Sequence, residues 1–255
     1  MATTIQTMYI LQPNQTPFTN HNQSTMPSDI THIMRLLQFT DSAFPVGTFS
    51  FSNGLETAGF ENMVYDKETL CQFAKSQALQ AAYTDGIAAL AAHRAFLAND
   101  YDRILESDST LILCKMNDES RQMLKRMGKK LGELGTRLFD SPIIGRWLED
   151  IRTDRTPGTY PVAQGMTFAA AGISEEDLFG SHQYGVVNMV LSAALRCIRV
   201  SHYDTQQILF EMSDSVRTLY ESVREMEIGE MHAFFPELDI LASLHEKGNM
   251  RMFMN

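Results

Sequence analysis

Apolar residues recur along this chain three and four positions apart, and that spacing predicts helix almost throughout. The clearest stripe is Leu124, Met127, Leu131, Leu134 and Leu138, a seam down one side of a helix. A second is Leu209, Met212, Val216, Leu219, Val223 and Met226. Ile30, Ile33, Met34 and Leu37 share one face of a first helix, which Ser28 can cap. Asp66 can cap a long helix, rich in Ala and Leu, that runs to about Leu97. Pro142 opens a short helix through Trp147, Leu148 and Ile151, and Ser174 before Glu175, Glu176 and Asp177 is another helix start. The segment 185–198 (GVVNMVLSAALRCI) is apolar on nearly every face, so its place is the middle of a bundle.

Interruptions are few. Residues 153–161 (TDRTPGTYP) are the best internal loop. Gly128, Gly132 and Gly135 lower helix propensity inside the first stripe and are positions where another backbone can come close. The run 110–114 (TLILC) has the composition of a strand but is short and flanked by helix, so it is read as helical. The expectation is an all-α, single-domain helical bundle of about eight to ten helices with little or no sheet. Residues 1–27, rich in Thr, Asn, Gln and Pro, are expected to be a poorly ordered tail. Residues 28–255 form the domain, with a C-terminal docking segment over about 236–255.

One stretch breaks the helical pattern. Residues 44–56 (FPVGTFSFSNGLE) hold a proline, two glycines, three phenylalanines and a carboxylate. Pro45 fixes φ and Gly47 can take positive φ, so the chain reverses there. Ser50 or Ser52 can cap the helix that carries Leu55 and Glu56. A capped turn accounts for these residues, but not for the crowding of Phe44, Phe49 and Phe51, one of which would serve as an interface anchor if exposed.

Charge and chemistry narrow the function. The net charge is −10, from 31 acidic and 21 basic residues, which argues against a nucleic-acid groove or an anionic membrane surface. No apolar run reaches the roughly 18 residues of a membrane span, and the N-terminus lacks the pattern of a secretory signal. Cys71, Cys114 and Cys197 are far apart and read as reduced thiols of a cytoplasmic protein. Phosphate-loop, dinucleotide, nucleophile-elbow and zinc-helix motifs are missing, and GKKLGELG at 128–135 has the wrong spacing for a phosphate cradle. No two of the seven histidines lie three or four apart, so a metal would need a tertiary pairing, for instance His232 with His245. Most of the sixteen methionines fall on core stripes, but Met250, Met252 and Met254 make an apolar chain end that invites docking. Glu56 has no base, nucleophile or metal pair beside it in sequence. Catalytic and metal residues are therefore expected to be none, with a helical enzyme using a pocket at Glu56 or His245, or a direct metal carrier using His232, His245 or the terminal methionines, as alternatives.

With its context included, the broken stretch is specific. Met34-Arg-Leu-Leu-Gln-Phe-Thr-Asp-Ser-Ala-Phe-Pro-Val-Gly47, then Phe49-Ser-Phe-Ser-Asn-Gly-Leu-Glu56, resembles the N-terminal signature of the UreF family of urease accessory proteins. Leu238-Asp-Ile-Leu-Ala-Ser-Leu-His-Glu246 followed by Arg251-Met-Phe253 resembles the family's C-terminal ending. Pro161–Gly165 and Leu195–Arg199 fit more loosely, so the resemblance spans about residues 30–255. Two departures stand out: Val200–Asp204 replaces the usual leucine-glycine-glutamine turn, and Asn249-Met250 replaces tyrosine-serine. The resemblance implies an all-helical dimer without catalytic activity. It binds UreH (also called UreD) and recruits the GTPase UreG, and the assembly delivers nickel to apo-urease, so nickel and GTP are handled by the complex rather than held as cofactors here. It also implies partner-binding roles for Phe44, Pro45, Gly47, Phe49, Ser52, Gly54, Glu56, His245, Glu246, Arg251 and Phe253.

Overall fold

The computed structural model describes residues 30–41, 43–47, 51–233, 235–246 and 252–253. The tail over 1–27, the Ser28 and Ser50 caps, Phe49, Arg251, Met250 and Met254 lie outside the described residues. Among the described residues there are eleven α-helices and no strand. They are α1 (Ile30–Thr40), α2 (Leu55–Phe60), α3 (Lys67–Ala81), α4 (Ile87–Leu97), α5 (Tyr101–Leu113), α6 (Asp118–Leu138), α7 (Pro142–Arg152), α8 (Tyr160–Ala170), α9 (Glu175–Cys197), α10 (His202–Val223) and α11 (Pro236–Glu246). The expected helix from Asp66 to Leu97 is present: α3 and α4 form one rod joined by a π-helical turn, Ala82–Gly86. Asp66 caps it in a box with Thr69. The TLILC run is helical, lying in and just beyond α5.

At the centre is α9. No residue from Gly185 to Leu195 is exposed, because α9 packs against α2, α3, α4, α8 and α10. Still more enclosed is α8, in which every residue from Pro161 to Ala169 is buried. The helix carries small residues where it crosses α4: a Cβ on Gly165 would stand 2.4 Å from the Ala89 carbonyl oxygen. Gly128 performs the same service between α6 and the chain entering α8, since a Cβ there would lie 2.1 Å from the Gly158 oxygen. Of the three glycines of the first stripe, Gly128 is thus the one that backbone approaches, while a Cβ on Gly132 would lie 2.9 Å from the Trp147 and Leu148 side chains and one on Gly135 would make ordinary side-chain contact. Gly128→Ala must push backbone away from backbone and is expected to cost roughly 2–3 kcal/mol. Urea unfolding checks this; a loss below about 0.5 kcal/mol, the scatter of surface changes, would show that the α7–α8 loop yields freely.

That loop, residues 153–159, is a loop as expected, exposed over 153–155 and mostly buried after that. Thr156, Gly158 and Thr159 are buried around Asp108 of α5, itself fully buried. The Asp108 carboxylate accepts five hydrogen bonds: from Trp147 Nε1 (3.1 Å), Thr156 Oγ1 (2.6 Å), the Gly158 amide (2.9 Å), and the Thr159 amide (2.7 Å) and hydroxyl (2.5 Å). One side chain thereby ties α5, α7 and the entry to α8.

Two expectations change in detail. The apolar face of α1 is turned outward, with Ile30, Met34 and Leu37 well exposed and Phe39 buried instead. The reason is geometric: α1 meets the bundle through His32, 3.2 Å from Asp177 of α9, through Arg35, which donates to the Ala171 carbonyl oxygen, and through Phe39, whose ring lies 5.4 Å from that of Phe168 in α8. The unusual 200–204 segment is a capping box, in which Ser201 Oγ accepts from the Asp204 amide and Asp204 accepts from the Ser201 amide at 2.8 Å, so α10 begins at His202.

Candidate functional site

The C-terminal segment of the described chain returns to α2. Gly54, at φ 81°, starts this helix without a side-chain cap, so the expected Ser52 cap is not formed. Ser52 is instead fully buried, and its hydroxyl has no hydrogen-bond partner among the described residues. The positive φ suits glycine, and the lack of a side chain lets α11 sit close: a Cβ on Gly54 would lie 3.0 Å from Leu241 Cβ and 3.1 Å from the Ala242 nitrogen.

That approach places His245 of α11 between two carboxylates. Its Nε2 lies 2.9 Å from Glu56 Oε2, and its Nδ1 lies 3.1 Å from each oxygen of Glu119, in the first turn of α6. His245 and Glu56 are almost wholly buried, and Glu119 nearly so. Glu56 also accepts from the Met252 amide at 2.8 Å, and from the Phe253 amide at 3.4 Å. The Phe253 ring, 3% exposed, completes the core formed by α2, α3, α9, α10 and α11, with the Arg196 guanidinium over its face. Beside His245, Glu246 accepts from the Glu119 amide at 3.0 Å, satisfying a first-turn donor of α6.

Six of the residues named from sequence are therefore brought together: Ser52, Gly54, Glu56, His245, Glu246 and Phe253. Phe44 is half-buried against Phe39 at 5.4 Å, while Pro45 and Gly47 are exposed at the turn. Sequence reasoning missed Glu119. Its neighbours spell only a helix start, Asn117 capping α6, and no local pattern links it to a histidine 126 positions away.

Burial and the nearby Glu56 charge push the Cys197 thiol up to about 11, which keeps it protonated and unreactive at neutral pH.

A separate cavity of about 110 Å³ lies among α3, α6, α8, α9 and α11. The π-helical turn sets Asp85 on its wall, paired with Lys115 and bonded by Thr84 Oγ1 at 2.8 Å. His182 Nδ1 lies 3.0 Å from the Gln164 amide oxygen, and its Nε2 is buried without a hydrogen-bond partner among the described residues. Neither Glu56 nor His245 lines this cavity, so the alternative of a pocket built on them finds no support here. His232 stands elsewhere, against the Tyr83 ring, with Nδ1 2.6 Å from the Glu230 carbonyl oxygen. Among the described residues no group of His, Cys, Asp or Glu is arranged to hold a metal ion.

Burial lowers the pKa of His182 and of His93. For Asp85 burial works upward, but Lys115 and His182 outweigh it and hold the carboxyl below its usual range. All three groups bind protons more weakly in the folded than in the unfolded chain. Their contribution is present above the ordinary histidine value of 6.5 and is lost as pH falls, first through the histidines and then through the carboxylate. The expected result is a melting temperature that declines from pH 7 to pH 5, with a shallower decline in a His93→Gln/His182→Gln double variant. Equal slopes in the two proteins would refute the assignment to these rings.

Fold and site together define an all-α bundle whose central polar construction is a tie between the start of α2 and the chain's C-terminal segment. Comparison with known proteins gives this class a family. The UreF family model matches residues 64–213. Urease accessory protein UreF 2 of Brucella canis is 49% identical over 223 residues, covering 88% of this chain and 92% of the relative. Urease accessory protein UreF of Yersinia pseudotuberculosis is 43% identical over 223 residues, covering 88% of this chain and 98% of the relative. The chain belongs to the UreF family.

Proposed function

We propose that this chain acts in urease maturation as a scaffold and regulator of GTP-dependent nickel insertion. In this reading it binds UreH (UreD), the pair recruits the GTPase UreG, and the assembly passes nickel to apo-urease. It works by binding rather than catalysis, as a homodimer in the cytoplasm, and nickel and GTP belong to the assembled complex. No described helix is long and apolar enough to cross a membrane, which fits a role at protein surfaces.

The observation that carries the reading is the similarity, over nearly the whole chain, to proteins named urease accessory protein UreF. The shape of the C-terminal segment supports it. His245 and Phe253 turn inward, while Ile240 (56% exposed), Leu244 and Met252 turn outward. With Met116, Ile240 and Leu244 line an open groove of about 540 Å³ between α11 and the end of α5. Clustered apolar surface of this kind marks interaction sites. The partner-binding role of Glu56 and His245 is then indirect: they hold the segment in place so that its outer face is presented.

Truncation after Ser243 tests this, with UreH binding measured by co-purification and calorimetry. Loss of binding is expected. An Ile240→Asp/Leu244→Asp variant, which changes only exposed positions, separates partner contact from folding and is expected to lose binding with its melting temperature unchanged. Full-strength UreH binding by both proteins would refute the assignment of this segment.

A further inference from the structure

The chain is strongly acidic, yet one surface groove carries the opposite charge. It measures about 640 Å³ and is built by α5, α6, the end of α7 and the α7–α8 loop, with nothing from α2 or α11. Its rim holds four cations (Lys125, Arg126, Lys129 and Arg155, the last paired with Asp150 at 3.1 Å) against one exposed carboxylate, Asp154. The rest of a chain of net charge −10 must therefore carry about −13. Lys125 and Lys129 are one turn apart on the outer face of α6, and neither is in an ion pair among the described residues. The floor is apolar: Leu113 is 77% exposed, and Ile112, Ile151 and Pro157 are half-buried beside it.

We propose that this groove is a docking site for a short acidic segment of a partner protein, which seats an apolar side chain on Leu113 and sets carboxylates against Lys125, Arg126 and Lys129. Charge complementarity selects an acidic occupant, and clustered cations recognise such motifs by charge-assisted hydrogen bonds. The apolar floor selects protein over nucleic acid. A single strand needs aromatic faces for its bases to stack on, and no aromatic residue lines the groove. Asp108 underlies the site, since its bonds to Thr156, Gly158 and Thr159 hold the loop that forms one wall.

The test uses the full chain and a fluorescent synthetic peptide of alternating Glu and Leu residues, read by anisotropy and by methyl shifts of Ile112, Leu113 and Ile151. The expected result is saturable binding that weakens about tenfold between 50 and 300 mM salt. Lys125→Glu/Lys129→Glu is expected to weaken it at least about thirtyfold. Leu113→Ser, at an exposed position, is expected to weaken it severalfold with an unchanged melting temperature. A Gln-for-Glu peptide that binds equally well would overturn the proposal, as would binding unaffected by the lysine reversals. A single-stranded oligonucleotide that binds more tightly than the peptide would overturn it in favour of nucleic acid.

Discussion

Replacing His245 by alanine is expected to lower the unfolding free energy by roughly 3–5 kcal/mol, since it leaves two carboxyl groups short of a hydrogen-bond partner at about 1–3 kcal/mol each and opens a cavity where the ring stood. Glu56 is 2% exposed, and without the imidazole its charge would keep only the Met252 and Phe253 amides. Glu119 would lose the same partner. Because these contacts hold the residues after α11, the damage is expected to be uneven. Amides near Met252 and Phe253 should exchange with solvent far faster, while those of α4 and α8 keep most of their protection. His245→Gln, which can still donate to one carboxylate, should recover part of the loss. Guanidinium unfolding with hydrogen exchange checks this. A loss under about 1 kcal/mol would mean that the tie is no stronger than a surface pair.

Asp108→Ala is the second large effect expected, at more than about 4 kcal/mol. Four neighbouring residues direct five donors at this carboxylate, and each buried donor left unmet costs about 1–3 kcal/mol. Asp108→Asn should be nearly as harmful, since an amide nitrogen would face donors that need an acceptor. Indole fluorescence reports the change directly, because Trp147 is the only tryptophan and donates to Asp108. A variant with the melting temperature of the parent would show that buried water can replace the carboxylate.

Local order was the legible part of this sequence. The Asp66 box, the Ser174 cap and the stripe from Leu124 to Leu131 each depend on residues within a turn or two of one another, and each stands where the pattern put it. The all-apolar run of α9 announced its central place for the same reason. The capping box of Ser201 and Asp204 was equally available, three residues apart, but was read as a departure from a family turn. What periodicity could not show was α8, since a helix buried on every side has no polar face to mark its phase. Nor could it show which way α1 points, because its apolar face is real but turned outward. The site was half legible. Glu56 and His245 were found through signatures at opposite ends of the chain. Their contact, and the part played by Glu119, arise from the close approach of α11 at Gly54, which no local pattern encodes.

The proposed role requires that urease maturation depend on this chain. The most direct test is activation of purified apo-urease with UreG, UreH, nickel, bicarbonate and GTP, with and without this protein. Urease activity that appears only when the chain is present is the predicted result, with Ile240→Asp/Leu244→Asp unable to support it. Activation that proceeds equally well without the chain would rule out the proposed role.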